Sequence, residues 1–263
     1  MATTAIVSCR IFEDELTHLM KKEQEKKTRL FLIETEFIES IERKFNDESI
    51  VYEKIQSDQV EEKVSEPTDA QNTIILRLIE FSMEARPAEI KNAVYERIKP
   101  IQNVADGILV FYGLCGNVLG SIEGDLSLPD CPVRILRDEE GNVGDDCICI
   151  SLGSRKKYLH ILKTDGREGT YFLTPMQAAY WREIAYASML TPDPNDDEML
   201  KMVFEYSGYK NVGKIKTGLQ YEKEFDEIVD DFSKRFNLKI IEYEGTSSMI
   251  EQSFEKFLKE LDA

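Results

Sequence analysis

The sequence lacks three motifs that would identify its chemistry directly. It holds no G-x-x-x-x-G-K-[ST] loop, no G-x-G-x-x-G turn and no H-E-x-x-H helix. P-loop nucleotide hydrolases cradle phosphate on the first pattern, dinucleotide-binding domains use the second, and zincins bind zinc through the third. The absence of these patterns disfavours all three classes of protein.

Positive charge is also scarce. The 263 residues carry 33 lysines and arginines against 50 aspartates and glutamates, which gives a net charge of −17. Nucleic acids and anionic membranes need a basic surface to offset their phosphates, so neither is expected as the main partner. The apolar runs fall far short of the roughly 20 residues that span a bilayer, and no signal peptide is visible. The sequence predicts a soluble, cytoplasmic protein.

The cysteines do not indicate a disulfide framework. There are five of them, an odd number, and none forms a C-x-x-C pair. In a reducing compartment, thiols that follow strands are expected to be metal ligands, nucleophiles or packed side chains.

The most informative segment is I-L-V-F-Y-G-L-C-G-N, residues 108–117. Its apolar run, bounded by glycine, is typical of a strand buried on both faces in a parallel sheet. Gly113 and Gly116 flank Cys115, and glycine lets a backbone turn sharply or approach a ligand closely. Open α/β sheets bind ligands past the carboxyl ends of their strands, so Cys115 is a candidate functional residue. The alternative is a small buried side chain in a tight turn.

Strand and helix patterns alternate along the chain. Strands are predicted at residues 5–9, 73–81, 108–112, 131–136, 169–173, 211–216 and 238–243. Helices are predicted at residues 13–27, 30–45, 87–98, 146–162, 175–187, 198–206, 221–236 and 247–261. This alternation predicts an α/β fold, with a mostly parallel sheet flanked by helices in a Rossmann-like arrangement. Residues 1–263 form either a single α/β unit or two closely packed, similar halves, at about residues 1–165 and 166–263.

Residues 30–72 stand apart from this alternation. Phe37, Ile41 and Phe45 share one helical face, so residues 30–45 are predicted as a second helix. Residues 46–72 are charged and poorly periodic, which is typical of a solvated loop outside the core. The whole segment is therefore predicted as a helical and charged insertion.

The residues that follow the strands are expected to converge, because the carboxyl ends of parallel strands open on one edge of a sheet. Three of them are cysteines, Cys9, Cys115 and Cys147. With one carboxylate they are able to hold a zinc or iron ion in a tetrahedral shell. Asp146 is most simply a helix cap, with a metal or substrate role as the sharper option.

Other residues at the same edge are candidates for binding a cofactor. They are Tyr112, Gly113, Gly116, Asn117, Thr174, Thr217, Gly218, Glu244 and Thr246. The metal prediction and the cofactor prediction both depend on the strands lying parallel in one sheet.

The remaining cysteines and histidines are predicted to be structural. Cys131 begins a strand at the end opposite the site, and Cys149 points away from Cys147 on a helix. His18 lies among charged residues, and His160 has no nucleophile or carboxylate at a diagnostic spacing.

Seven segments together resemble the signature blocks of one family. They are residues 5–9 and 81–87, Y-G-L-C-G-N, D-D-C-I-C-I-S-L-G-S, G-T-Y-F-L-T-P, I-K-T-G-L and Y-E-G-T, in order along almost the whole chain. In these blocks the chain is similar to the domain of unknown function 1638 family of methanogenic archaea and anaerobic bacteria. The resemblance implies a link to corrinoid-dependent methyltransferase systems and a functional role for Cys9, Cys115 and Cys147.

The chain departs from that family in two places. A histidine often precedes the proline of the second block in the family, whereas this chain offers Glu84 before Pro87. If that histidine is a metal ligand, either Glu84 replaces it or the metal site is weakened. Residues 30–72 are also longer than the family needs, which makes them a candidate partner-binding addition.

Two functions are compatible with these observations. The first is a zinc or iron protein of anaerobic one-carbon metabolism, in which Cys9, Cys115 and Cys147 bind the metal together with Glu84 or Asp146. A corrinoid contacts this site, and a thiolate bound to zinc is a usable nucleophile near neutral pH. The second is a non-catalytic accessory module that docks a corrinoid protein or a methyltransferase, with the cysteines only packed.

Overall fold

A six-stranded parallel sheet forms the larger part of the protein. The computed structural model describes residues 2–81, 87–164 and 168–262. The strands, in chain order, are β1 (Thr3–Cys9), β2 (Thr28–Ile33), β3 (Glu53–Ile55), β4 (Asn72–Ile79), β5 (Gly107–Phe111), β6 (Val133–Ile135), β7 (Gly169–Leu173), β8 (Tyr209–Lys216) and β9 (Lys239–Glu244). The larger sheet has the order β3-β2-β4-β1-β5-β6, and every neighbouring pair is parallel. The predicted α/β, Rossmann-like fold is confirmed.

Helices connect these strands. They are α1 (Glu13–Gln24), α2 (Glu39–Asp47), α3 (Val60–Ser65), α4 (Pro87–Ile98), α5 (Ile122–Leu126), α6 (Cys147–Leu152), α7 (Arg155–Thr164), α8 (Pro175–Ala179), α9 (Trp181–Ala187), α10 (Asp197–Tyr206), α11 (Phe225–Phe236) and α12 (Ser248–Leu261). A 3-10 turn (Arg10–Phe12) links β1 to α1. Within the described residues, no helix combines the length and the apolar character needed to span a membrane.

The central strands are buried on both faces. β5 has the sequence G-I-L-V-F, and each of its residues is buried. β1, its neighbour, is equally buried along its whole length. A strand without a solvated face gains stability from apolar burial on both sides, which explains the uninterrupted apolar runs in the sequence.

The smaller sheet contains the last three strands, in the order β7-β8-β9, all parallel. Its core is rich in aromatic rings and includes Trp181, Phe204, Phe232 and Phe236. α12 follows this sheet but packs on the larger one, because Phe254 and Phe257 belong to the core of the larger sheet. The division of the chain into one unit or two similar halves stays a prediction.

A buried charge cluster joins the two sheets. Lys44 of α2 lies 2.7 Å from an Asp14 oxygen and 2.7 Å from an oxygen of Glu222, which follows β8. An oxygen of Glu13 is 3.6 Å from the same ammonium group. Lys44, Asp14 and Glu13 are buried. We call these four residues the Lys44 cluster.

The predictions for residues 30–72 are wrong in their secondary structure. Residues 30–33 belong to β2, which lies between β3 and β4, and the helix begins only at Glu39. The predicted solvated loop contains β3 and α3 and buries Ile50, Ile55 and Val60. The run L-F-L-I fits a buried strand as well as a helix, and its pairing with β4 decides between them.

Two further expectations need correction. The helix predicted at residues 146–162 is divided into α6 and α7 by Gly153, which adopts a left-handed conformation at φ 86°. The strand ends do not share one edge, because they belong to two sheets. A single set of converging residues is therefore replaced by two separate sets.

Candidate functional site

β1 and β5 are neighbours in the larger sheet, and the chain leaves them in opposite directions. After β1 it continues through α1 to β2, whereas after β5 it continues through α5 to β6 on the other side. Parallel α/β sheets bind ligands in the crevice that opens at such a switch point. A cavity of about 550 Å³ lies here, lined by Cys9 at the end of β1 and by Tyr112, Gly113 and Cys115 after β5.

The turn that carries Cys115 has an unusual backbone. Cys115, Gly116 and Asn117 all have positive φ angles, of 45°, 72° and 67°. A side chain in this left-handed region costs on the order of 1 kcal/mol, so the surrounding structure must hold Cys115 there. The N–H of Cys115 donates to the Asp145 carbonyl at 3.0 Å. This bond fixes the turn against the loop before α6.

Gly113 allows that loop to come close. A Cβ atom at this position would lie 2.8 Å from both the backbone N and the Cα of Asp146. Only glycine fits such an approach without moving one of the two segments. The contact brings Cys147, the first residue of α6, to the same cavity as Cys115.

Asp146 caps α6 and also faces the cavity. One carboxylate oxygen accepts a hydrogen bond from the Cys149 N–H at 2.8 Å, and the other accepts one from the Tyr158 hydroxyl at 2.7 Å. Burial raises the pKa of Asp146 above its ordinary value. Burial, followed by the Asp146 charge, raises the pKa of Tyr158 as well, so its hydroxyl remains a donor.

Gln177 links Cys147 to the start of α8. Its side-chain nitrogen donates to the Cys147 sulfur at 3.5 Å. Its side-chain oxygen accepts from the Thr174 N–H at 3.0 Å, and the Thr174 hydroxyl accepts from the Gln177 N–H in return. This capping box gives Gln177 a fixed orientation toward the thiol.

The opposite wall of the cavity comes from the smaller sheet and its helices. Tyr171 and Phe172 of β7, Tyr209 of β8 and Ile184 of α9 line it. The cavity therefore lies between the two sheets, with the cysteines on the side of the larger one.

The structure brings six of the predicted site residues to this cavity. They are Cys9, Tyr112, Gly113, Cys115, Asp146 and Cys147. Gly116 and Asn117 are exposed in the same turn but do not line the cavity, and Thr174 is buried as the cap of α8. Glu84 lies outside the described residues.

Four predicted cofactor-binding residues follow the strands of the smaller sheet and do not line the cavity. They are Thr217, Gly218, Glu244 and Thr246. The Thr246 N–H donates to the Ser151 carbonyl at 2.8 Å, and the side chain of Lys157 donates to the Glu244 carbonyl. These contacts pack the end of β9 against α6 and α7.

Sequence reasoning missed Tyr158, Gln177 and the aromatic residues of the smaller sheet. Tyr158 reaches Asp146 because the chain turns at Gly153, and Gln177 reaches Cys147 because the capping box of α8 orients its side chain. The capping pattern T-P-M-Q is the one local signal, since it predicts an oriented Gln177.

The other two cysteines lie away from the cavity, and their structural role stays a prediction. Cys131 and Cys149 are buried and do not line the cavity. Burial raises the pKa of each thiol to about 11, so both are protonated near neutral pH. All five cysteines are among the described residues, and none forms a disulfide.

Comparison with known proteins gives one family. No curated protein matches the chain. A family model described as "Protein of unknown function (DUF1638)" matches residues 78–254, which is more than half of the chain. The matched range includes Cys115, Asp146 and Cys147, and Cys9 precedes it. The chain therefore belongs to the DUF1638 family.

Proposed function

We propose that the cavity at the β1–β5 switch point is the functional site and that its thiols bind a zinc or iron ion. One observation carries this proposal. Cys9, Cys115 and Cys147 come from three separate segments of the chain and line the same cavity. Thiolates are preferred ligands of zinc and of iron in sulfur-rich sites.

The donors available for such an ion are chiefly the three thiols. Among residues 2–81, 87–164 and 168–262, no three His, Cys, Asp or Glu side chains stand together as a ready metal site. Asp146 uses both oxygens to hold Cys149 and Tyr158, which suits it to supporting α6. A tetrahedral shell on three thiolates takes one further donor. Glu84 and Asp146 are the two residues predicted for that place. Because Asp146 is engaged elsewhere, we propose Glu84, which lies outside the described residues.

A bound ion would keep the thiols of Cys9, Cys115 and Cys147 deprotonated near neutral pH, and thus nucleophilic. The protein's own contribution is to orient them. Gln177 donates to the Cys147 sulfur, and the clamped turn holds Cys115 at the end of β5.

A role in anaerobic one-carbon metabolism is the wider part of this proposal. It rests on the family resemblance, which links such proteins to corrinoid-dependent methyl transfer. A corrinoid in contact with the site, delivered by a corrinoid protein or a methyltransferase, is the partner that this role requires.

The alternative function is a non-catalytic accessory module that docks such a partner. Its expected docking segment, residues 30–72, supplies β2 and β3 to the larger sheet and buries Phe31 and Leu32. A segment in the core is a poor candidate for an added docking surface. This observation favours the cavity over the insertion as the site of function.

Metal analysis of protein purified without oxygen tests the proposal. We expect about one zinc or iron ion per chain, and loss of most of it in Cys115→Ser and Cys147→Ser. Cys131→Ser is the matched control, because Cys131 is buried away from the cavity. The proposal fails if the unmodified protein holds less than about a tenth of the expected ion, or if all three variants keep it equally.

A further inference from the structure

Aromatic side chains form much of the cavity wall. Seven of the 20 described residues that line it are phenylalanine or tyrosine, among them Tyr112 on one side and Tyr171 and Tyr209 on the other. The Phe81 ring already has the Arg10 guanidinium 4.6 Å from its centre, so the other rings are the ones open to a ligand. The face of an aromatic ring carries partial negative charge and attracts cations that come within about 6 Å of its centre. The wall therefore offers apolar surface that also favours positive charge.

The rings on the side of the smaller sheet are held in place. Tyr171 stacks on Phe232 with ring centres 5.6 Å apart and an angle of 10° between the planes. Tyr209 meets Tyr171 edge-on at 5.8 Å and 90°. Because these rings pack against the core of the smaller sheet, a ligand would meet an aromatic wall that is already ordered.

The carboxylate in the cavity lacks a basic neighbour among the described lining residues, which include no lysine, arginine or histidine. Asp146 is mostly buried, and its hydrogen-bond donors are a backbone N–H and a tyrosine hydroxyl. The nearby Arg155 is paired with Asp145 instead, at 3.0 Å. A carboxylate shielded from water is costly unless an opposite charge accompanies it. A cationic ligand would supply that charge.

We infer that this cavity selects a small organic cation, of the methylated ammonium class, through its aromatic wall and the Asp146 carboxylate. The inference rests on the proposed function in one respect, since it assigns the ligand class of the same cavity. Aromatic rings with a nearby carboxylate are a recurrent means of binding quaternary ammonium groups. A phosphate or carboxylate ligand would instead face Asp146 across an apolar space.

The volume fits this class of ligand. About 550 Å³ lies within the range of roughly 300–1,000 Å³ typical of sites for small organic molecules. The net charge of −17 also favours the approach of a cation to the protein.

Calorimetric titration with choline and with 3,3-dimethylbutan-1-ol tests the inference. The alcohol has the shape of choline, with carbon in place of the charged nitrogen. We expect the unmodified protein to bind choline at least about tenfold more tightly, which corresponds to about 1.4 kcal/mol. Equal affinity for the two compounds, or no binding of choline, overturns the inference without the need for a variant.

Two variants locate the source of the preference. Asp146→Asn removes the charge but keeps a residue that caps helices well, so α6 should persist. We expect it to lose the preference for choline, while Asp145→Asn, the matched control, keeps it. A preference that survives in Asp146→Asn overturns the role given to this carboxylate.

Metal content measured on the same samples separates this inference from the proposed function. Asp146→Asn should retain the ion, because the three thiols are the proposed ligands. Metal retention without any choline preference defeats the inference alone. Choline preference in protein that holds no metal defeats the proposed function alone.

Discussion

The residues that follow the strands are of similar types in the two sheets, but their surroundings differ. At the larger sheet, the connections after β1 and β5 diverge, and a cavity opens between them. At the smaller sheet, both connections run in the same direction, from β7 to β8 to β9. The chain after β8 leads to the Lys44 cluster, and the chain after β9 packs on α6. A strand end is thus a candidate site only where neighbouring connections part.

The largest expected loss of stability comes from disrupting the Lys44 cluster, which includes Glu222 after β8 of the smaller sheet. Lys44→Met leaves the carboxylates of Asp14, Glu13 and Glu222 without their shared cation. Removal of one partner from a buried ion cluster costs about 3–5 kcal/mol, because the remaining charges are uncompensated. Urea-induced unfolding measures this loss.

The control for that experiment is Lys21→Met. The Lys21 side chain is 57% exposed and pairs with Glu48 at the surface. We expect a loss of less than about 1 kcal/mol there. Similar losses in the two variants would show that the Lys44 cluster does not hold the sheets together.

A second comparison uses one glycine from each edge. In Gly113→Ala the new methyl group would meet backbone atoms of Asp146 and Gly144 at 2.8 Å, which should cost about 3 kcal/mol. Gly218, at φ 82°, has open space around it. In Gly218→Ala the expected loss of stability is therefore only that of holding a side chain in the left-handed region, about 1 kcal/mol. Thermal or urea unfolding compares the two. Equal costs would contradict the close approach at the cavity.

A pH dependence is expected beside the Lys44 cluster, where the effect is spread over several pH units. Burial, and then the charge of Asp14, raises the pKa of Glu15 from 4.5 to about 8. The folded protein therefore holds a proton that the unfolded chain releases. Its contribution to stability is complete below the unfolded pKa and is lost as the pH rises toward the folded one.

Stability should accordingly fall by up to about 1.4 kcal/mol for each pH unit between about pH 5 and pH 8 through this group. Glu15→Gln, which resembles the protonated form, should flatten that slope and stabilise the protein most at the upper end. Urea unfolding of both proteins across this range measures the difference. An unchanged slope in the variant would mean that Glu15 is ionised in the folded state.

Features that depend on local interactions could be predicted from the sequence, whereas features that depend on contacts between distant segments could not. The strand before Cys115 and the helix α4 (Pro87–Ile98) are confirmed, because an apolar run with glycine and a proline at a helix start are local signals. β2 was missed because its apolar run becomes a strand only through pairing with β4. Strand order is likewise non-local, so the sequence could not separate Thr217 or Thr246 from the edge that holds Cys115.

Within the site, the same distinction applies. The convergence of Cys9, Cys115 and Cys147 could be predicted because each follows a strand or begins a helix that the local sequence pattern indicates. Tyr158 was missed because its bond to Asp146 depends on the turn at Gly153, which redirects α7. Tyr171 and Tyr209 were missed because they reach the cavity from the other sheet.

The return of α12 to the larger sheet has a consequence for how the protein is made. A ribosome releases β5 well before it releases α12, yet Phe254 and Phe257 complete the core around that strand. Nascent chains fold as their segments emerge. During translation, part of the apolar surface of the larger sheet therefore stays uncovered while the smaller sheet is synthesised. The core of the larger sheet, whose strands are synthesised first, is complete only after α12 has been synthesised.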